Sequence, residues 1–243
     1  MFTEFLVALQ FLTIVRLREA LPFNEGTLGR SGAFFPMIGF LLGLTVWGLD
    51  ILFSFLVPLS LANVLLIVTL AGLSRGLHLD GLADSADGLL GSTDRQRSLA
   101  IMKDSCIGTF GALALIGIVV LKLRALDLLS GVDRTHALLL SPMLSRWACV
   151  VMAYAAPPAR EDGLGALFVR GVQFREVMLA SVFVLVAGLL IVGFPNLLLL
   201  GLFTGIAWGA TRYCERRLGG ITGDTMGAVG EIIETATFCF FAS

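Results

Sequence analysis

The chain of 243 residues is 57% hydrophobic and only 14% charged, with a mean hydropathy of +0.91. Soluble domains carry about 25% charged residues, so this composition excludes an ordinary soluble protein. It predicts an all-α, polytopic membrane bundle over residues 1–243, because lipid offers no partners to unpaired backbone groups. The formal net charge of −1 excludes the bulk basic field that is typical of nucleic-acid binding.

Apolar windows follow one another along the chain, each about 20 residues long, which is the length of a membrane-spanning helix. They predict transmembrane helices at residues 32–56, 59–76, 108–129, 137–156, 177–194 and 196–212. The shorter segment Phe2–Val15 predicts an interfacial or packed helix. Residues 226–242 predict a seventh helix that enters the bundle or lies at its edge. The expected fold is therefore a bundle of about six to seven transmembrane helices.

Basic residues are divided unevenly between the loops that join these helices. Those on one set of loops are Arg16, Arg18, Arg30, Arg95, Arg97, Lys103, Arg160, Arg170, Arg175, Arg216 and Arg217. The alternate loops near residues 57–60 and 193–196 contain none, and the loop near residue 134 contains only Arg134. The positive-inside rule then places the basic loops in the cytoplasm. The two acidic stretches, 80–104 and 224–234, fall on that same side and can build one site there.

Three carboxylates in the first acidic stretch lie at helical spacing. Asp80, Asp84 and Asp87 fall within an arc of roughly 60° on one helix face. Like charges at this spacing repel one another, whereas Mg²⁺ takes hard oxygen ligands and bridges carboxylates to substrate phosphates. We predict that all three are metal ligands at a catalytic centre. The alternative is a solvated helix face.

The second acidic stretch begins with a run rich in glycine. Gly223 and Asp224 stand at the predicted start of the last helix, and Glu231 and Glu234 follow within it. A helix N-terminus is a ready anion site, so Gly223 is a candidate phosphate contact. Asp224 and Glu231 share a helix face, and we predict that they complete a second metal position. The alternative makes Asp224 an N-cap and leaves the glutamates in water.

Four cations stand inside or at the ends of the predicted spans, where charges are costly and usually functional. Arg75 opens the first acidic stretch and is a candidate for holding phosphate oxygens bidentately. Arg146 lies near the middle of its span and is a second candidate for phosphate binding. Lys122 and Arg124 are expected to reach towards the outer interface along their aliphatic stems.

Two further polar groups belong to the same polar region of the sequence. Lys103 and Asp104 precede a glycine-bounded helix entry and suit phosphate neutralisation and proton transfer, although an ordinary interfacial ion pair is an equal alternative. His78 comes two positions before Asp80 and is a candidate substrate contact. A helix would point it away from Asp80, so a structural role is its alternative.

The chain resembles the cobalamin synthase family, the adenosylcobinamide-GDP ribazoletransferases. The resemblance rests on Arg75–Gly88, Arg97–Gly111 and Gly219–Glu234, with weaker similarity at Phe11–Leu17 and Phe35–Gly39. It implies a multi-pass enzyme of the bacterial inner membrane that needs Mg²⁺. The implied reaction joins adenosylcobinamide-GDP to α-ribazole, or to its 5′-phosphate, and releases GMP.

Two other functions remain open from the sequence. A CDP-alcohol phosphotransferase shares a short motif with Asp84–Gly88, but its second acidic motif is absent here. A transporter would also bury charged residues, yet transporters tend to show internal repeats, and this chain shows no convincing one. The oligomeric state, the preferred lower base and the residues that contact the corrin ring have no signature in the sequence.

Overall fold

The computed structural model describes residues 1–17 and 21–243, so Arg18 of the predicted basic loops lies outside the described residues. The helices, in chain order, are α1 (Phe2–Leu12), α2 (Glu25–Ser31), α3 (Phe35–Ser54), α4 (Leu59–Leu73), α5 (Leu77–Gly91), α6 (Arg95–Ile101), α7 (Thr109–Leu128), α8 (Gly131–Ala155), α9 (Leu164–Gly171), α10 (Phe174–Val192), α11 (Pro195–Leu218) and α12 (Gly223–Phe241). The regular structure of the described residues is helical apart from one isolated bridge, between Pro158 and Ile221. The predicted all-α class is confirmed.

Five helical segments are long and apolar enough to cross a membrane: residues 25–54, α7, α8, α10 and α11. The predicted span 59–76 corresponds to α4, which reaches this length only together with α5, across a bend of 87°. Large apolar side chains cover the outside of the molecule, as at Leu190 and Leu198, which are 83% and 62% exposed. An apolar outer surface is what lipid contact requires, so the chain is a polytopic membrane protein.

Helix α8 forms the centre of the bundle, and 89% of its most apolar window is buried. Helix α3 packs closely along it because Gly39 and Gly43 present no side chain at the contact. A Cβ on Gly43 would lie 2.7 Å from the carbonyl oxygen of Leu139, and one on Gly39 would collide with the backbone of Pro142. A helix buried on all sides must be apolar all round, which makes the buried Arg146 of α8 an exception.

A sharp turn separates α4 from α5. Arg75 and Gly76 both have positive φ angles, 55° and 65°, and a positive φ is uncommon for a residue with a side chain. The Arg75 guanidinium also donates a hydrogen bond of 3.1 Å to the carbonyl oxygen of Phe11 on α1. This turn directs α5 across the bundle towards the start of α12, so the two acidic stretches of the sequence meet.

Arg134, the single basic residue of the alternate loops, belongs to a polar cluster. This cluster lies at the end of the bundle opposite the Arg75–Gly76 turn. Arg134 forms an ion pair of 2.7 Å with Asp50 on α3 and donates a hydrogen bond of 2.6 Å to Asn63 on α4. The Asn63 amide in turn donates to Asp127 on α7 at 2.8 Å. Arg134 is therefore neutralised within the protein and ties together the ends of four helices.

Candidate functional site

The first turns of α5 and α12 converge at one end of the bundle. Gly81 on α5 lies directly against the backbone of Asp224 on α12, since a Cβ at Gly81 would stand 2.7 Å from the Asp224 carbonyl oxygen. Asp80, Asp224 and the Arg160 guanidinium all lie close enough to act electrostatically on the Asp84 carboxylate. We call the group formed by Asp80, Asp84, Asp224 and Arg160 the acidic pocket.

One open cleft borders the acidic pocket, and a second adjoins the first at Arg75. The first, of about 640 Å³, is lined by Arg75, Asp80, Asp84 and Ser105. The second, of about 750 Å³, lies across Arg75 and reaches Arg16 and α1. Whole-ligand pockets typically measure about 300–1,000 Å³, so these clefts are large enough to receive a bulky substrate beside the carboxylates.

Arg160 is a site residue to which the sequence analysis assigned no chemical role. It forms an ion pair of 3.2 Å with Asp224 and donates a hydrogen bond to the carbonyl oxygen of Leu99, while its buried Nε has no partner. Its only sequence signal was its place among the basic loops predicted to share a membrane face. The structure puts this cation directly beside the carboxylates.

Burial raises the pKa of the Asp224 carboxyl, and the Arg160 guanidinium beside it acts in the opposite direction. The Asp224 carboxylate is also bonded to the hydroxyl of Thr222. Thr222, whose side chain accepts from the Thr225 N–H, is the N-cap of α12. Asp224 is therefore not the N-cap that the alternative interpretation assigned to it, and its carboxylate faces the pocket.

Lys103 lies on the rim of the site and Asp104 in an exposed turn. The Lys103 ammonium binds the Asp162 carboxylate at 2.7 Å, with both side chains largely exposed, and this contact lowers the pKa of Asp162. Asp104 accepts a hydrogen bond from the Cys106 N–H within the turn. The predicted Lys103–Asp104 pair is therefore divided, because Lys103 binds Asp162. Asp162 lines a third cleft together with Arg160, Gly223 and Asp224, which we call the cleft under Asp224.

Asp87, the third predicted metal ligand of α5, turns towards α7 instead. Its two carboxylate oxygens accept hydrogen bonds from the Gly108 and Gly111 N–H groups, at 2.7 and 2.8 Å. These donors belong to the first turn of α7, where N–H groups have no partner within the helix. A Cβ on Gly108 would lie 2.5 Å from the Asp87 carboxylate, which explains the glycine there. We therefore assign Asp87 to the capping of α7, and its role as a metal ligand stays a prediction.

Glu231 and Arg146 belong to a buried ion cluster inside the bundle. The Lys122 ammonium contacts Glu231 and Glu234 at 2.5 Å each, and Arg146 contacts Glu234 at 2.6 Å. Glu231 lies seven residues after Asp224 on α12, which is about 10 Å further along the helix axis. It therefore lies on the same face of α12 as Asp224 but deeper in the bundle than the acidic pocket. Glu231 and Arg146 are thus bonded within this cluster, and their roles as metal ligand and phosphate contact stay predictions. Lys122 points inwards, not to the outer interface as expected.

The remaining predicted contacts stay at the site. Arg75 is exposed and lines both large clefts, and Gly223, the first residue of α12, lines the cleft under Asp224. His78 is buried at the start of α5, next to Gly227 of α12, where a Cβ would lie 3.2 Å from the His78 Cα. Arg75, Gly223 and His78 remain predictions as substrate contacts.

The carboxylates of the acidic pocket do not by themselves surround a hard cation, and a substrate phosphate would have to supply further oxygen ligands. Among residues 1–17 and 21–243, no three acidic, histidine or cysteine side chains are grouped closely enough to enclose a metal ion. Mg²⁺ seldom needs such a cage, because it usually keeps waters and binds one or two carboxylates plus substrate phosphates. Mg²⁺ held by Asp80, Asp84 and Asp224 together with a phosphate ligand therefore stays a prediction.

Apolar helices that enclose carboxylates, arginines and open clefts at one end define a polytopic membrane protein with a polar ligand site. The family model described as cobalamin-5-phosphate synthase matches residues 4–242. The chain belongs to this family, and the resemblance found in the sequence is confirmed.

Curated relatives agree along almost the whole chain. The protein named adenosylcobinamide-GDP ribazoletransferase in Geotalea daltonii is 40% identical over 233 residues, which are 95% of this chain and 93% of that protein. The protein of the same name in Pseudomonas fluorescens is 41% identical over 237 residues, 96% of each chain. The one in Clostridium tetani is 32% identical over 242 residues, 99% of this chain and 96% of that protein. No solved structure matches the chain.

Proposed function

We propose that this chain joins adenosylcobinamide-GDP to α-ribazole, or to α-ribazole 5′-phosphate, and releases GMP. The product is adenosylcobalamin or its 5′-phosphate, which makes the chain a transferase of phosphorus-containing groups in the assembly of the nucleotide loop. The names of its relatives support this activity. The observation that carries it is the meeting of the α5 carboxylates with Asp224 and Arg160 beside open clefts.

The reaction replaces the GMP group on the phosphorus that carries the cobinamide with the riboside. A ribose hydroxyl oxygen of the riboside attacks the phosphorus nearer the cobinamide and forms a new O–P bond. The bond from that phosphorus to the bridging oxygen of the diphosphate breaks, and GMP leaves with that oxygen. The hydroxyl proton passes to a carboxylate of the acidic pocket. The protein contributes mainly positioning and charge stabilisation, as in other phosphoryl transfers.

Mg²⁺ is the cofactor we propose for this site. Asp80, Asp84 and Asp224 are the residues that would hold it, and when bound it neutralises charge on the diphosphate. Asp84 is central because it lies within electrostatic reach of both Asp80 and Asp224. No part of this assignment requires Asp87 or Glu231, whose carboxylates are bonded elsewhere.

The cations around the pocket hold the phosphates. Arg160 stands against Asp224 and offers a buried Nε that has no protein partner. Arg75 lies where the two large clefts meet. Lys103 lies at the rim of the site, and its ion pair with Asp162 is largely exposed to solvent. Guanidinium groups match phosphate geometry well because they donate two parallel hydrogen bonds.

The site faces the cytoplasm of a bacterial cell, and the chain is a multi-pass protein of the inner membrane. Support for this orientation comes from the basic residues, which lie near the acidic pocket: Arg95 donates hydrogen bonds to the carbonyl oxygens of Leu218 and Ala159, and Arg217 to those of Leu89 and Ser92. Basic loops of membrane proteins remain on the cytoplasmic side.

The test is GMP release by the purified protein in detergent or liposomes, supplied with adenosylcobinamide-GDP and α-ribazole. We expect release that requires both substrates, stops with EDTA and returns with added Mg²⁺. A parallel reaction with a CDP-alcohol donor serves as the control. Release of CMP there, with no GMP formed from the corrinoid donor, would favour a CDP-alcohol phosphotransferase. Uptake of solute by liposomes without any transfer product would favour a transporter.

A further inference from the structure

Two backbone segments run side by side next to the acidic pocket and lead into two of its members. Hydrogen bonds of 2.8 and 2.9 Å join residues 157–159 to residues 219–221, and we call these two segments the loop pair. Arg160 follows the first segment directly, and Asp224 comes three residues after the second. The pairing of the two segments therefore sets where the Arg160 guanidinium meets the Asp224 carboxylate, at 3.2 Å.

The loop pair is closely packed but short. A Cβ on Gly220 would collide with the carbonyl oxygen of Pro157 and would lie 2.8 Å from the Ala159 nitrogen. The contact counts as one isolated bridge, between Pro158 and Ile221. Even a complete two-stranded hairpin is only marginally stable by itself. The loop pair therefore needs support from side chains outside it.

Arg95 of α6 bonds both segments of the loop pair at once. Its Nε donates a hydrogen bond of 2.6 Å to the carbonyl oxygen of Leu218, which directly precedes the second segment. A terminal nitrogen of the same guanidinium donates a longer one, of 3.4 Å, to the carbonyl oxygen of Ala159 in the first segment. Gly219 leaves room for this group, since a Cβ there would lie 3.2 Å from the Arg95 Cζ.

Helix α6 holds Arg95 in place. Asp94 is the N-cap of this helix, and its carboxylate accepts a hydrogen bond of 2.8 Å from the Arg97 N–H, so Arg95 is the first helical residue. Near the other end of α6, the carbonyl oxygen of Leu99 accepts a hydrogen bond of 3.3 Å from the Arg160 guanidinium. The short helix therefore contacts the first segment and the residue after it from both of its ends.

We propose that Arg95 is a positioning residue, which holds the loop pair together and thereby sets the contact between Arg160 and Asp224. Its bonds go to backbone carbonyl oxygens, so it acts on the reaction through those two residues. This inference rests on the proposed function, which assigns Arg160 to the phosphates and Asp224 to the cation.

Hydrogen–deuterium exchange of the purified protein, without substrate or Mg²⁺, tests this role apart from the activity. We expect Arg95→Gln to speed exchange about fivefold at the Ala159 and Ile221 amides, because the lost hydrogen bonds make local opening easier. Arg95→Lys should do the same, since an ammonium lacks the planar fork of donors. Arg212→Gln is the matched control, because it removes an exposed arginine of α11 that pairs with Glu215, and its exchange should be unchanged. Unchanged exchange in both Arg95 variants would overturn the proposal.

Steady-state kinetics of GMP release provide the second measurement. We expect Arg95→Gln to raise the KM for adenosylcobinamide-GDP about tenfold, because a displaced Arg160 holds the diphosphate less well, and to leave the KM for the riboside unchanged. A merely structural role would lower the amount of active protein and move neither KM, and that result would overturn the positioning role.

The two measurements separate this inference from the proposed function. If the unmodified protein releases no GMP but Arg95→Gln still speeds exchange at Ala159 and Ile221, the proposed function fails and Arg95 still holds the loop pair. If GMP is released and Arg95→Gln changes neither the exchange nor the KM values, the proposed function stands and the role of Arg95 fails.

Discussion

Gly81 of α5 and Asp224 of α12 are in backbone contact, and no side chain fits between them. A Cβ at Gly81 would stand 2.7 Å from the Asp224 carbonyl oxygen and 3.0 Å from its Cα. These neighbours are backbone atoms and cannot rotate away, so Gly81→Ala must push the two helices apart. We expect this variant to lose most of its GMP release, about tenfold or more, because misplacement of catalytic groups by 1 Å can cost about a hundredfold in rate.

Gly117→Ala is the matched control for Gly81→Ala, because a Cβ at Gly117 of α7 meets nothing within 4 Å. It changes a helical glycine in the same way without a collision, and alanine is the better helix former. Its activity should equal that of the unmodified protein. If Gly81→Ala were as active as Gly117→Ala, the contact between α5 and α12 would not position the site.

The helices could be predicted from the sequence because their apolar length is a local property. The span predicted at 108–129 is α7, Thr109–Leu128, and the one predicted at 59–76 begins where α4 begins. The bend between α4 and α5 was not predicted, because it depends on a positive φ at Arg75, a residue type that rarely adopts one.

Helical periodicity and the charges of the loops predicted only part of the site. Periodicity grouped Asp80 with Asp84, and the charges of the loops placed Asp224 on the same side of the membrane. The structure brings these residues together. Periodicity could not show that the Gly108 and Gly111 N–H groups engage Asp87, or that Lys122 meets Glu231. Those partners lie 21 to 109 positions away along the chain, and only the packing of the helices selects them.

Asp84→Asn should abolish turnover while leaving the fold intact. The change removes a charge that lies within electrostatic reach of both Asp80 and Asp224, so the site would lose an anchor for a cation that carries phosphates. We expect GMP release to fall at least a hundredfold, with membrane insertion and thermal unfolding unchanged. Asp133→Asn is the control, because Asp133 is exposed in the first turn of α8. Near-normal activity of Asp84→Asn would remove Asp84 from the site.

Asp87→Asn should act mainly on stability. An asparagine keeps one acceptor oxygen but turns an NH₂ group towards a backbone N–H that now bonds a carboxylate, either at Gly108 or at Gly111. We expect the free energy of unfolding to fall by about 1–3 kcal/mol, measured by denaturant unfolding in detergent micelles. The comparison is with Asp84→Asn, which should keep its stability and lose its activity. A fully stable Asp87→Asn protein without activity would favour Asp87 as a metal ligand.

Glu234→Gln should be the most destabilising of these conservative changes. Glu234 is 1% exposed and holds both Lys122, at 2.5 Å, and Arg146, at 2.6 Å. The glutamine has the same size but no charge, so two buried cations would share the Glu231 carboxylate alone. Breaking a buried ion pair costs about 3–5 kcal/mol, and we expect a loss of this order in the free energy of unfolding. Glu215→Gln removes the half-buried partner of the exposed Arg212 and should cost less than about 1 kcal/mol. Equal unfolding curves for the two variants would show that the buried cluster does not hold α7, α8 and α12 together.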